Sequence, residues 1–89
     1  MLVGRMEIMS PADEQRLIDA VAKSSLERAA YSKKPTEYRK KNAFPVSDPI
    51  LSFGRMTEPA LVRIAKIADK QDVRLEAERL IRQTRSAGR

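Results

Sequence analysis

Proline divides this chain into stretches that can be helix and stretches that cannot. Pro11 and Pro35 bracket one uninterrupted segment, Pro35, Pro45 and Pro49 crowd the middle, and from Ala60 to Ala87 there is neither proline nor glycine. A proline ring removes a backbone donor and clashes with the preceding turn, so it suits the first turn of a helix and breaks an interior. The chain is therefore predicted to be all-α. Two principal helices are expected at about 11–32 and 57–86, joined by a proline-rich connector at 33–56. At 89 residues it forms a single domain, 1–89. A chain this short buries only about 60% of its unfolded surface, so self-association or ordering by a partner is expected to supplement its core.

Local signals sharpen these limits. Ser10 can cap the first helix, Pro11 fits its first position, and Asp13 and Glu14 complement the positive end of the dipole. Leu17, Ile18, Val21, Ala22, Ser25, Leu26, Ala29 and Ala30 then form a broad stripe at helical spacing. Lys33-Lys34-Pro35 ends it, because the residue before proline disfavours helix. Residues 36–41 suit a single helical turn, and 42–49 read as extended or turn-like. Ile50-Leu51-Ser52-Phe53 is apolar and must pack on the core or on a partner.

Thr57 is expected to cap the second long helix. Its apolar register is not uniform. Leu61, Ile64, Ala65, Ala68 and Leu75 share one face, while Val73, Ala77, Leu80, Ile81 and Thr84 share another. The change falls at Asp69-Lys70-Gln71-Asp72, which predicts a bend, a split with Asp72 as cap, or a helix that twists across two surfaces. Residues 1–9 form an arm, and the alternation over 5–9 suits a short strand.

Absent residue types exclude much chemistry. Without cysteine there are no disulfides or thiolate metal sites, and a reducing, cytoplasmic setting is favoured over secretion. Without histidine the commonest general base, the commonest metal ligand and the familiar nucleophile triads are gone. No enzyme activity, cofactor or metal is expected. No apolar run approaches the roughly 20 residues of a membrane span, and residues 1–9 lack the long apolar region of a secretory signal.

The net charge of +6 is unevenly placed. Residues 28–41 carry Arg28, Lys33, Lys34, Arg39, Lys40 and Lys41 against Glu37 alone, and residues 79–89 carry Arg79, Arg82, Arg85 and Arg89 with no acid. Charge gathered in blocks points to an anionic partner. Lys33, Lys34, Arg39, Lys40 and Lys41, with Tyr38 among them to stack on a base, are the first candidates for nucleic-acid contact. Arg79, Arg82 and Arg85 are the second, although cations there also suit the negative end of a helix dipole. Glu76 and Glu78, near Asp69 and Asp72, alternate with Lys70, Arg74 and Arg79 at spacings of ordinary intrahelical pairs.

Residues 5–13, Arg-Met-Glu-Ile-Met-Ser-Pro-Ala-Asp, followed by Leu17, Ile18 and Val21, resemble the opening of ribbon-helix-helix DNA-binding proteins. The resemblance implies a strand paired across a dimer, with Arg5 toward the major groove. It covers only residues 5–23. A tight turn and a second helix should follow, but Ser24-Ser25 is a poor turn and the helical pattern runs on to Lys33. A helix-turn-helix rhythm over Ile64–Ile81 lacks the glycine common in that turn.

These features point to a non-catalytic nucleic-acid-binding regulator or accessory factor, acting as a homodimer. The alternative is a regulator or assembly subunit that docks on a larger protein through Phe44, Ile50, Leu51, Phe53, Leu61, Ile64, Ala68 and Leu75. Membrane binding is disfavoured, because the basic segments have no strong aromatic or leucine face.

Overall fold

Ser10 does start the first helix. In the computed structural model, which describes residues 9–87, its hydroxyl accepts the Asp13 amide at 3.1 Å and its backbone is extended. Pro11 occupies the first turn, and helix α1 runs Pro11–Ser32. It stops where Lys33-Lys34-Pro35 predicts. A short helix α2, Thr36–Lys41, and a four-residue turn of helix α3, Asp48–Leu51, lie in the connector. Gly54 then takes a positive φ of 56°, which a side chain would disfavour, and opens a 3-10 turn, Gly54–Met56. That turn feeds directly into α4, Thr57–Ile67, and α5 spans Gln71–Ala87. The described residues are all-α, and the strand expected at 5–9 lies outside them except for Met9, which packs against the core.

Two expectations need correction here. The predicted helix 57–86 is divided at 68–70, one of the outcomes the register change allowed. Ala68 turns extended, with ψ at 137°, and its side chain stays buried. In a continuous helix its carbonyl would accept the amide of Asp72; instead it accepts the Arg74 guanidinium at 2.6 Å. The break lets both apolar faces reach one core while the polar run Asp69–Asp72 stays in solvent. Asp72 falls inside the first turn of α5, where its charge suits the dipole. The second correction concerns Thr57. It makes no cap bond; it is buried, with its hydroxyl turned toward the Ile50 carbonyl at 3.5 Å.

Helices α4 and α5 form an antiparallel hairpin. Glu58, at the start of α4, meets Arg85, near the end of α5, at 2.7 Å. The helices of a DNA-binding helix-turn-helix diverge at about 90–120° and would separate those residues, so that reading is set aside. Helix α1 lies across the hairpin. Glu14 pairs with Arg63 of α4, Ile18 and Ala22 sit beside Ala68 and Val73 at the turn, and Ser24 and Arg28 reach Glu76 of α5. Because α1 continues unbroken through Ser24-Ser25, the second helix that the ribbon-helix-helix resemblance implies does not begin there.

Leu17 and Val21 of α1, Ile50 of α3, Ala60, Leu61, Ile64 and Ala68, and Val73, Ala77, Leu80 and Ile81 of α5 build the core. Burying each leucine, isoleucine or valine stabilises the fold by about 1.5–3 kcal/mol. Leu75 is not among them and stays 41% exposed. Its assignment to the Leu61 face assumed an unbroken helix, and the turn at 68–70 resets the phase.

Candidate nucleic-acid interface

Among the described residues the interior holds one charged residue, Glu76, with no exposed surface. Its carboxylate accepts the Ser24 hydroxyl at 2.7 Å and the Arg28 Nε at 2.8 and 3.1 Å. The Arg79 guanidinium stands 3.8 Å away. A buried carboxylate is stable only with such partners. The surface pairing within α5 that the sequence suggested is thus only the weak Arg79 contact; the principal partners come from α1.

Arg28 carries this network outward. Its second nitrogen donates to the Gln83 side chain at 3.1 Å, and Gln83 in turn donates to the Phe44 carbonyl at 2.6 Å. The guanidinium also lies 4.4 Å from the centre of the Phe44 ring. Phe44 meets Tyr31 at 5.4 Å, and Tyr31 meets Tyr38 edge-on at 6.4 Å. The Tyr31 hydroxyl donates to the Arg39 carbonyl at 3.0 Å. One chain of contacts therefore runs from the core, through α5 and the connector, to the exposed helix α2.

The consequence is positional. Segments 28–41 and 79–87, far apart in sequence, are tied to the same end of the molecule through Arg28, Gln83 and Phe44. Every residue of α2 is exposed. Among the described residues Arg39 bonds only neutral acceptors, the Lys34 carbonyl at 3.1 Å and the Thr36 hydroxyl at 3.3 Å, and no carboxylate there compensates its charge. Lys34 Nζ lies 5.3 Å over the Tyr38 ring, and Tyr38 is 44% exposed. Lys33, Lys40, Lys41 and Arg82 are exposed and form no ion pair among the described residues.

The other arginines differ. Arg85 makes two bonds to Glu58, at 2.9 and 2.7 Å. The hydrogen bond first, and then the charge of Glu58, hold the Arg85 guanidinium above its ordinary pKa. Stability gained this way is lost only as pH rises through that raised value, beyond any physiological window. Arg79 and Arg85 thus have carboxylate neighbours that Arg82 lacks. Among the described residues no group of three acidic side chains is placed to hold a metal ion.

The apolar set proposed for docking on a larger protein is largely internal. Ile50, Leu61, Ile64 and Ala68 are buried in the chain's own core, so substitution there reports on folding rather than docking. Phe44 and Phe53 are half-buried, beneath the guanidinium groups of Arg28 and Arg16. Leu51 and Leu75 remain at the surface.

Sequence reasoning missed Ser24, Arg28, Glu76 and Gln83 as a unit. The signal was present. Glu76 occupies the register of Val73, Ala77 and Leu80, and Ser24 and Arg28 continue that of Leu17 and Val21. Polar groups inside two apolar stripes are candidates for facing one another. No protein-family model, curated protein or solved structure matches this chain.

Proposed function

We propose that this protein binds nucleic acid without catalysis, through phosphate contacts at the end of the molecule formed by α2 and the C-terminal half of α5. The convergence of the two basic segments carries the reading. Lys33, Lys34, Arg39, Lys40, Lys41 and Arg82 present charge that no described carboxylate neutralises, with Tyr38 exposed among them. Mobile cations around an aromatic ring suit phosphates and an unstacked base. No base-reading element is part of the proposal, so binding is largely indifferent to sequence.

Salt dependence tests it. Six phosphate contacts on duplex DNA give a slope of log affinity on log salt of about −5, a loss of about a thousandfold between about 50 and 200 mM. Replacing Lys40 and Lys41 by alanine should flatten that slope by up to about 2, equally on every sequence. Affinity indifferent to salt and to both lysines rejects the reading. A second reading, docking on a larger protein, draws on Leu51, half exposed beside Phe53. It predicts a shallow salt slope and loss of binding in Leu51→Asp.

A further inference from the structure

Leu26 is the most exposed large apolar side chain among the described residues, at 74%. Seven helical residues return to nearly the same azimuth, so Asp19 and Leu26 of α1 and Lys33 at its C-cap form a line along the outer face of the helix. All are exposed. Ala22, Ala29 and Ala30 flank Leu26 and leave room for close approach. Helix α5 repeats the pattern, with Leu75 exposed on the same side between Asp72 and Arg79.

The two lines are neighbours. A groove between the helices is lined by Ser25, Leu26 and Ala29 on one side and by Asp72 and Arg79 on the other. Over this stretch the helices advance together, since Leu26 faces Asp72 and Val73 while Arg28 reaches Glu76 and Gln83. The result is one face with leucines at its middle, Asp19 and Asp72 toward one end, where Lys70 also lies, and Lys33 and Arg79 toward the other. Asp19, Lys33 and Asp72 have no ion-pair partner among the described residues, and Arg79 only a 3.8 Å contact.

We propose that this face pairs two copies of the chain as an antiparallel, isologous dimer. A two-fold axis running across both helices at Leu26 and Leu75 sets α1 against its copy and α5 against its copy. Asp19 then opposes Lys33 of the second copy and Asp72 opposes its Arg79, each twice by symmetry, around a leucine centre. The face carries its own complement, which is the reason for choosing a second copy over an unrelated helix. Lys33, one of the six cations assigned to phosphate above, is taken up at the interface, and Lys34, Arg39, Lys40, Lys41 and Arg82 stay available in each copy; association is therefore measured without nucleic acid.

Sedimentation equilibrium on the full chain tests it. The native chain should be dimeric. Asp72→Arg alone and Arg79→Asp alone each set like charges together at two symmetric positions and should weaken association about tenfold or more. Mixing these two variants should restore it, because the mixed pair opposes an arginine to an aspartate at both positions. Leu26→Lys should give a monomer with unchanged helical circular dichroism, since the side chain touches little of its own fold. A native chain that stays monomeric, a dimer that survives Leu26→Lys, or a mixture that fails to recover association would each overturn the proposal.

Discussion

Removing Arg28 should destabilise this protein more than removing the carboxylate it binds. In Arg28→Ala the fully buried Glu76 keeps only the Ser24 hydroxyl at 2.7 Å and the distant Arg79. Breaking a buried pair from one side costs about 3–5 kcal/mol. The Arg28 side chain is 23% exposed, so water screens part of the interaction and the lower end, about 3 kcal/mol, applies. Loss of the Gln83 bond and the Phe44 stack adds about 1 kcal/mol. A folded chain of 89 residues has about 4–13 kcal/mol of stability in all, so a loss of about 4 kcal/mol removes at least about a third of it. In Glu76→Leu the change is smaller, about 1 kcal/mol. The new side chain joins Val73, Ala77 and Leu80, and the Arg28 guanidinium keeps water, Gln83 and Phe44. Urea titration followed by far-ultraviolet circular dichroism measures both, with an unchanged slope confirming that the unfolded state is comparable. Each kcal/mol corresponds to about 4–8 °C in Tm for a chain of this size. A loss below about 1 kcal/mol in Arg28→Ala, or a greater loss in Glu76→Leu, would refute this account of the buried pair.

Other perturbations are smaller. Ser10→Ala removes the cap of α1 and should cost about 1 kcal/mol, read in the same titration, with amide exchange accelerating first at Asp13, whose amide the hydroxyl holds. Gly54→Ala places a side chain at a φ of 56° where no neighbouring atom lies within 4 Å. The cost should be about 1 kcal/mol of backbone strain alone, and Gly54→Asn, which tolerates that conformation, should recover part of it.

What the sequence determined alone is local. Helix starts and stops follow from side chains acting on their own backbone, so Ser10-Pro11 and Lys34-Pro35 could be placed without knowing what packs against them. The register change near 69–72 was visible too, because burial of two apolar faces leaves a periodic trace. Its outcome was not, since a bend and a full turn share that trace. Only packing decides between them, and the Arg74 bond to the Ala68 carbonyl belongs to the folded turn. Other decisions were tertiary for the same reason. Ile50, Leu61, Ile64 and Ala68 are apolar whether they serve a core or a partner, and only the crossing of α1 over the hairpin assigns them to the core. In the sequence Glu76 suits ordinary intrahelical pairs with its basic neighbours. It is inside because Ser24 and Arg28, 52 and 48 residues away in the chain, supply the hydrogen bonds that water would have made.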